Sequence, residues 1–253
     1  MDSDTVDRLR KLNNDFYREQ SASFAGTRQA PWQGWEQCLA ILQEATDWSQ
    51  HRSLSVFDLA CGNLRFEAFL ASALPGTDFS FYAVDSCDEL LPSAPAVNYQ
   101  HLDVLDALGS ARPLNDQFTA PACDLSVAFG FLHHVPLPQQ RAQILAALID
   151  QTHPGGFVIV SLWQFLNDPT RLEKAQLTHA RALEELGLPE LDSGDYLLGW
   201  KDTSGAYRYC HSFSDAEIDQ LIATTAPRAT LTSRFNADGR TGDLNTYLLF
   251  KTS

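Results

Sequence analysis

Small and acidic residues stand at the ends of successive, mainly apolar segments of this chain. A short turn, Asp58 to Asn63, begins at the end of segment 54–59, and Asp85 with Ser86 follows segment 79–84. Small turn residues let the backbone approach a ligand, and an acid about 20 residues further on can accept hydrogen bonds from ribose hydroxyls. The sequence therefore predicts a nucleotide-type cofactor site, with turn residues Asp58, Ala60, Gly62 and Asn63.

The composition of the turn narrows the choice of cofactor. It carries one glycine, Gly62, where dinucleotide-binding turns carry three. This disfavours NAD and makes S-adenosylmethionine (SAM) the natural candidate. Leu64 stands where the last glycine is expected and adds bulk at the start of a helix. We expect its side chain either to point away from the cofactor or to reshape the pocket.

Two later groups extend the predicted site. Asp103 and Val104 follow the predicted strand 97–102 and are expected to bracket the adenine, with a helix cap as the alternative for the aspartate. Phe129 ends the run 123–130, and His133 and His134 come soon after it. One of these histidines is expected to face a second substrate, whereas a core or capping role is the alternative. No Cys or His residues stand at zinc-ligand spacing, so no metal is predicted.

The acceptor side is predicted from aromatic and basic residues outside these runs. Arg28 can pair bidentately with a carboxylate of the cofactor or of the acceptor, so it is a candidate both for cofactor binding and for catalysis. Tyr17 and Trp32 are expected to close the pocket, with helix packing as the alternative. Arg208 and His211 are candidates for binding an anionic acceptor, with a role on the surface of a strand as the alternative.

The pattern of apolar residues predicts an α/β fold. Strands and helices alternate through the middle of the chain, which favours a Rossmann-like, mostly parallel seven-stranded sheet with helices on both faces. A helical lid is expected before this sheet and an antiparallel hairpin at its end. The predicted strands are 54–59, 79–84, 97–102, 123–130, 157–163, 228–235 and 244–251, and the predicted helices are 1–20, 34–49, 65–73, 138–150, 170–186 and 214–225.

The connections between these elements carry their own signals. Residues 21–33 are predicted to form a turn-rich linker and residues 187–206 a loop, because both are rich in Gly, Ser, Asp or Pro. Ser86 with Glu89, and Ser214 with Glu217, have the spacing of capping boxes. Pro154 to Gly156 is predicted to be a turn.

Length and composition fit one domain. The chain has 253 residues and is 44% hydrophobic, which suffices for one sizeable α/β domain over 1–253. We divide it into an N-terminal cap (1–52), a cofactor-binding core (53–163), a substrate-side insert (164–206) and the last part of the sheet (207–253). The five scattered cysteines favour a reducing cytoplasm, and no membrane-spanning run or secretory signal is found.

The charge of the chain limits its partners. It has 18 basic and 32 acidic residues, a net charge of −14. Such a surface repels polyanions at long range, so a nucleic acid would need a local basic patch or a basic partner protein.

Five motifs, in order over residues 54–163, resemble the class I SAM-dependent methyltransferases. They are FDLACGNLRF, FYAVDSCDELL, HLDVLD, DLSVAFGFLHHV and HPGGFVIVSLW. The resemblance implies SAM as cofactor, with the acid of the second motif on the ribose and the fourth motif lining the site of methyl transfer.

A narrower resemblance reaches the ends of the chain. Phe16-Tyr17, residues 23–28 (SFAGTR), Pro31-Trp32, Gly199-Trp200 and residues 208–213 (RYCHSF) are similar to the tRNA wobble-uridine carboxymethyl methyltransferases. These enzymes methylate a carboxylate on a modified uridine, and the eukaryotic ones work with a small zinc-binding partner. The resemblance thus implies a tRNA acceptor and an activating partner protein.

Three functions stay open from the sequence. The first is a methyltransferase that acts on a modified tRNA uridine, and the second is one that acts on a small carboxylate or hydroxyl compound. A carboxylate is ionised at neutral pH and needs no general base, which fits the lack of an obvious catalytic dyad. The third is a non-catalytic protein of the same fold, with a regulatory or scaffolding role.

Overall fold

Strands and helices alternate along the chain as the sequence predicts. The computed structural model describes residues 1–27, 30–45, 53–93, 96–201 and 203–253. Its strands are β1 Ser53–Leu59, β2 Asp78–Asp85, β3 Asn98–His101, β4 Cys123–Ala128, β5 Thr152–Trp163, β6 Asp195–Trp200, β7 Thr203–His211, β8 Ala229–Ala237 and β9 Asn245–Thr252. Its helices are α1 Ser3–Gly26, α2 Gln33–Ala45, α3 Arg65–Ala73, α4 Val104–Leu108, α5 Pro138–Asp150, α6 Pro169–Leu186 and α7 Asp215–Ala223.

The main sheet confirms the predicted fold class. Within the described residues it has seven strands in the order β3-β2-β1-β4-β5-β9-β8. Strands β1 to β5 pair in parallel, whereas β9 runs antiparallel to both β5 and β8. The strand order reverses between β1 and β4, and ligands of open α/β sheets bind at the carboxyl edge beside such a reversal.

Helices cover both faces of this sheet, because its strands carry apolar side chains on each face. On one face, Leu54 and Val56 of β1 pack in a buried cluster with residues of α2 and α3. On the other face, Phe57 and Leu59 pack in a second cluster with residues of α5 and α7. The two pairs follow the two-residue period of a strand, which explains why the central strands read as continuous apolar runs.

The N-terminal helix is longer than predicted. Helix α1 continues to Gly26, so the predicted linker 21–33 is wrong over its first part. The added turn is held by tertiary contacts: the Phe24 ring packs at 4.9 Å from that of Tyr17 and 5.6 Å from that of Trp200, and Trp200 Nε1 donates a hydrogen bond to Ser23 Oγ at 3.1 Å. These contacts outweigh the turn preference of Ser and Gly. The last predicted turn of α2 falls on residues 46–49, which lie outside the described ranges.

The predicted loop 187–206 is wrong in its second half. Strands β6 and β7 form a separate two-stranded antiparallel sheet. This hairpin buries Leu197 and Tyr209 against Leu9 of α1 and Ala182 of α6. The glycines and polar residues of this segment predict a loop, because the sequence does not show that α1 and α6 pack on its apolar side chains. Helix α6 is confirmed, with the Asp168 carboxylate capping its first turn at Thr170 N, 2.9 Å away.

Two smaller predictions also differ from the structure. The predicted capping box at Ser86 is wrong, because the segment after β2 forms only a 3₁₀ turn, Asp88–Leu90, without a side-chain cap. The predicted turn 154–156 lies within β5, at an irregularity where its pairing with β4 shifts register. No helix of the described ranges is both long and apolar enough to span a bilayer.

The second capping box is confirmed and gives a stability prediction. Ser214 Oγ accepts a hydrogen bond from Glu217 N at 3.3 Å, and Glu217 Oε2 accepts one from Ser214 N at 2.9 Å. Ser214→Ala removes the first bond and is expected to lower the free energy of unfolding by about 1 kcal/mol. Urea denaturation measures this loss. Ser193→Ala, on an exposed loop, is the control; equal stability of the two variants would contradict the prediction.

Candidate active site

A cavity of about 610 Å³ lies at the carboxyl edge of the main sheet, at the reversal of strand order. Its wall contains Asp58 of β1, Asp85 of β2, Phe129 after β4 and Trp163 of β5. Small-molecule sites have volumes of about 300–1,000 Å³, so the cavity has the size of a cofactor and acceptor site.

The turn after β1 forms the floor of this cavity. Ala60, Gly62 and Leu64 have φ angles of 64°, 57° and 58°, in the left-handed region. Nothing lies within 4 Å of the position of a Cβ on Gly62, so its backbone faces open space. Ala60 N and Cys61 N both donate to Val84 O, at 2.7 and 3.1 Å, which fixes the turn to the end of β2.

The side chain of Leu64 points away from the cavity, which is one of the two alternatives expected from the sequence. Its side chain is 6% exposed and packs with Cys61 and Ala83. It is absent from the residues that line the cavity. The bulk of Leu64 therefore does not reduce the space for a ligand.

Asp85 joins the turn to the wall. Its Oδ2 accepts a hydrogen bond from Gly62 N at 2.8 Å, and its Oδ1 accepts one from Cys87 N at 2.9 Å. Burial raises the pKa of this carboxyl, while the backbone N–H groups of Gly62 and Cys87 lower it. Each carboxylate oxygen has a further lone pair, so Asp85 can still accept hydrogen bonds from a ligand hydroxyl.

Asp103 takes the helix-capping role that the sequence leaves as its alternative, and it also lines the cavity. Its Oδ1 accepts hydrogen bonds from Leu105 N at 2.9 Å and Asp106 N at 3.2 Å, at the start of α4. Its Oδ2 accepts one from Asn14 Nδ2 at 2.7 Å. Helix α1 is thus connected to the floor of the site. Val104, Ser86 and Asn63 line the cavity as well.

Tyr17 and His134 form a hydrogen-bonded pair in the cavity wall. Tyr17 Oη lies 2.6 Å from His134 Nε2, and His134 Nδ1 lies 2.9 Å from Tyr209 O. A carbonyl only accepts, so Nδ1 carries the proton and Nε2 accepts from the Tyr17 hydroxyl. His133 also lines the cavity and packs at 4.1 Å from the His134 ring and 4.7 Å from the Trp163 ring.

Three potential metal ligands meet here although their spacing in sequence does not predict it. The ligand atoms of His133, His134 and Cys210 lie within 4.8 Å of one another. Both ring nitrogens of His134 are already engaged, by Tyr17 and by Tyr209. We therefore derive no chemistry through a metal at this place.

Arg208 lies in an aromatic cage, which we define as Phe16, Phe24, Trp163 and Trp200. Its guanidinium carbon is 5.2–5.9 Å from the four ring centroids. The side chain is 7% exposed, lines the cavity, and has no acceptor for its buried Nε among the described residues. Aromatic faces stabilise a cation, but they do not neutralise it. The cavity thus contains a positive charge that lacks an anionic partner from the described part of the chain.

His211 does not reach the cavity, contrary to its prediction as a substrate-binding residue. Its Nδ1 lies 2.6 Å from Asp195 Oδ1 and its Nε2 lies 3.0 Å from Glu217 Oε1. Arg141 lies against the same Asp195 and donates to the Val135 and Pro136 carbonyls. His211 belongs to this buried ion network.

Arg28 lies outside the described residues, so its two predicted roles stay predictions.

Trp32 lies in the cavity wall and also packs on helix α2. Its ring stacks on Trp35 at 5.2 Å, and the Arg65 guanidinium lies 5.6 Å and 5.2 Å from these two rings. The charged residues in the described lining are four acids and two arginines: Asp58, Asp85, Asp103, Asp238, Arg65 and Arg208. This lining offers no basic surface for a polyanion.

Several lining residues were not predicted. Trp163 ends β5, and the carboxyl ends of parallel strands meet at one edge, so its position contained a usable signal. Leu102 directly precedes Asp103, which is a similar signal. Six more depend on how α1, α2 and the terminal strands fold onto this edge, for which the sequence has no local signal: Asn13, Asn14, Phe24, Trp35, Asp238 and Asn245.

Comparisons with known proteins agree with this architecture. No protein-family model matches the chain. The mouse tRNA (carboxymethyluridine(34)-5-O)-methyltransferase ALKBH8 is 25% identical over 178 residues, which cover 70% of this chain and 23% of that protein. The chain therefore matches only about a quarter of the length of this curated relative.

Solved structures show the fold. A SAM-dependent methyltransferase of Methanosarcina mazei aligns with a TM-score of 0.59 at 16% identity, covering 84% of this chain and 96% of that one. One from Clostridium acetobutylicum aligns with a TM-score of 0.54 at 10% identity, covering 95% and 98%. The SAM-bound amino pentose methyltransferase of Micromonospora echinaspora gives 0.52 at 11%, covering 92% and 95%. The chain has the fold of SAM-dependent methyltransferases, as the sequence motifs predict.

Proposed function

We propose that this protein is a SAM-dependent methyltransferase whose acceptor presents a carboxylate. The observation that carries the proposal is Arg208, a buried cation without an anionic partner in the described part of the chain, in the wall of the cavity. Arginine matches a carboxylate bidentately, and a carboxylate acceptor would supply the missing negative charge. The fold and the name of the curated relative, an O-methyltransferase of a carboxymethyl group, support the same proposal.

The residues at the sheet edge fit SAM. The open backbone at Gly62, with Ala60 and Asn63, would contact its methionine part, and Asp85 with Ser86 would accept its ribose hydroxyls. Asp103, Val104 and Phe129 would enclose its adenine end and the methyl group. The Asp58 carboxyl, in the cavity wall, would face the ammonium group. When bound, SAM supplies a methyl group that its sulfonium already activates.

On the acceptor side, the protein mainly has to orient the reacting oxygen. Arg208 would hold the carboxylate, while Tyr17, Trp32 and His133 would enclose the group attached to it. Holding two reactants in line can contribute about 7–11 kcal/mol in ideal cases. Because the carboxylate is already ionised at neutral pH, no proton has to be removed.

We propose the carboxylate of a modified tRNA wobble uridine as the acceptor to test first, on the strength of the curated relative. The net charge of −14 and the acidic lining would then require a local basic patch outside the cavity or a basic partner protein for tRNA binding. A small-molecule carboxylate is the alternative without such a partner. A transfer assay with SAM labelled in its methyl group, run on total tRNA and on a small-molecule extract, separates the two.

Mild alkali then identifies the bond that is formed. A methyl ester releases its label as methanol in dilute base, whereas a methyl ether or methylamine retains it. Label that resists base would contradict a carboxylate acceptor. If neither SAM nor S-adenosylhomocysteine (SAH) binds in calorimetry, the hypothesis of a non-catalytic protein is supported and the proposed methyltransferase activity is contradicted.

A hydroxyl acceptor is the second candidate, because the Tyr17–His134 pair can accept a proton. General-base catalysis contributes about 10²–10⁴-fold, so Tyr17→Phe would cause a loss of that size with a hydroxyl acceptor. With a carboxylate acceptor, we expect Tyr17→Phe to change the transfer rate less than about threefold. Tyr207→Phe, whose hydroxyl bonds Glu185 away from the cavity, is the control. A loss near 100-fold in Tyr17→Phe alone would favour the hydroxyl candidate.

A further inference from the structure

Two buried carboxyl groups meet beneath the cofactor turn, and only one of them lines the cavity. Asp58, at the end of β1, is 3% exposed and lies in the cavity wall. Glu67, on α3, is 4% exposed and lies behind it, outside the lining. Asp58 Oδ1 and both Glu67 oxygens accept no hydrogen bond from an N–H or O–H group of the described residues. The donor that these oxygens lack is a proton on one of the two carboxyls.

Burial makes two negative charges at this place unfavourable. It raises the pKa of the Asp58 carboxyl well above its usual range, and the adjacent Glu67 carboxyl raises it further. Burial likewise raises the pKa of Glu67, to about 7. Two carboxyls in direct contact titrate as a pair and do not both ionise readily. The first proton to leave the pair is therefore held up to about pH 7.

The surrounding groups add negative charge and little positive charge. Asp85, at the end of β2, raises the pKa of Asp58, and the nearby Cys61 thiol is itself shifted upward by burial and by these acids. Arg65, on the same helix as Glu67, has its guanidinium over the Trp32 and Trp35 rings and donates to Ala30 O at 2.9 Å. Within the described ranges, neither Asp58 nor Glu67 has an ion pair with a basic side chain. A cation at this point would therefore come from the ligand.

We propose that Glu67 is a positioning residue, which is protonated beside Asp58 in the empty cavity and releases that proton to solvent when the cofactor ammonium binds. The inference rests on the proposed function, because it takes its cation from SAM or SAH. The proton that remains is shared by the two carboxyls, and it orients Asp58 toward the ammonium. Because Glu67 does not reach the cavity, it acts on the ligand through Asp58.

The sign of the pH dependence follows from this linkage. A bound ammonium stabilises the ionised form of the Asp58–Glu67 pair. It therefore lowers the pKa of Glu67, which is about 7 in the free protein. Binding then releases a proton below about pH 7 and none well above it. The affinity for SAH is expected to rise with pH, up to about tenfold per pH unit for one linked proton, and to level off above about pH 7.

Calorimetry of SAH binding, in two buffers that differ in ionisation enthalpy, counts the released protons. For the unaltered protein we expect between half a proton and one proton released at about pH 6, and almost none at about pH 8. Glu67→Gln keeps the size of the side chain and donates an N–H to Asp58 without titrating. Its proton release and its pH dependence of SAH affinity are expected to be lost. Glu173→Gln, the same change on the exposed face of α6, is expected to behave as the unaltered protein.

A second measurement on the unaltered protein covers the case in which Glu67→Gln folds poorly. With carbon-13-labelled glutamate, the carboxyl resonance of Glu67 reports its protonation, and SAH at about pH 6 is expected to shift that resonance toward the ionised form. Binding of SAH with equal heat in both buffers at about pH 6 would overturn this inference alone. Absence of SAH binding at every pH would overturn the proposed function together with it.

Discussion

Arg208→Met is expected to reduce methyl transfer at limiting acceptor at least about 100-fold, with SAH affinity within about threefold of the unaltered protein. Methionine keeps apolar packing against Phe16 and Trp200 but removes the charge and the paired N–H donors. A buried charge-assisted hydrogen bond contributes about 1.5–3 kcal/mol, and a bidentate contact contains two. The labelled-SAM assay measures transfer, and calorimetry with SAH measures the cofactor site separately.

Two further variants test whether charge or geometry matters at this position. Arg208→Lys keeps the charge without the planar fork and is expected to fall between Arg208→Met and the unaltered protein. Arg181→Met, at an exposed position on α6 beside Glu185, is the control and should leave transfer unchanged.

Arg208→Met is expected to keep or raise the free energy of unfolding, because it removes an unpaired buried charge. A loss of stability with transfer intact would reverse this assignment and make Arg208 a structural residue.

Two zones of the cavity wall hold charged side chains without a partner of opposite charge in the described residues. The floor, beside β1 and β2, holds Asp58 and Asp85, whose carboxyls lack basic partners in the described residues. Another part of the wall holds Arg208 in its aromatic cage. A cationic cofactor on the acidic side and an anionic acceptor on the basic side would satisfy both zones. Such an arrangement also attracts each ligand to its own half of the cavity.

The part of the fold that local sequence determines was predicted well. Helices 65–73 and 138–150 have the bounds of α3 and α5: each comes after a strand, and α5 begins with Pro138, a residue favoured at the first helical position. The turn between β1 and α3 was predicted from its small residues. The hairpin of β6 and β7 was not, since its strands are defined by the cover that α1 and α6 give to Leu197 and Tyr209. Such cover is a tertiary property and has no signature within the segment.

The wrong prediction for His211 has the same cause, because strand β7 was not predicted. Side chains of a strand alternate between its faces, so Arg208 and His211, three positions apart, must point in opposite directions. Once β7 is known, only one of the two can face the cavity, and it is Arg208. The partners of His211 come from β6 and α7, at Asp195 and Glu217, and no spacing in the sequence connects them.

Asp85→Asn is expected to weaken SAH binding at least about 100-fold. An amide has one acceptor oxygen, so its NH2 group must face either Gly62 N–H or Cys87 N–H, both of which now donate to the carboxylate. The turn then loses one of its two ties to this side chain, and a ribose hydroxyl loses a charged acceptor. Two hydrogen bonds to a charged group amount to about 3–6 kcal/mol, of which a part is recovered by the amide. Calorimetry with SAH measures the affinity.

Asp88→Asn provides the matched control, because it makes the same change three residues further on. The Asp88 carboxylate is exposed and accepts hydrogen bonds from Tyr99 Oη at 2.7 Å and from His101 Nδ1 at 2.9 Å, outside the cavity. Its substitution is expected to change SAH affinity less than about twofold. Ligand binding stabilises only the folded protein, so SAH should raise the unfolding temperature of Asp88→Asn but hardly that of Asp85→Asn. If Asp85→Asn binds SAH within about threefold of the unaltered protein, the carboxylate serves only the turn, and the cofactor must bind elsewhere in the cavity.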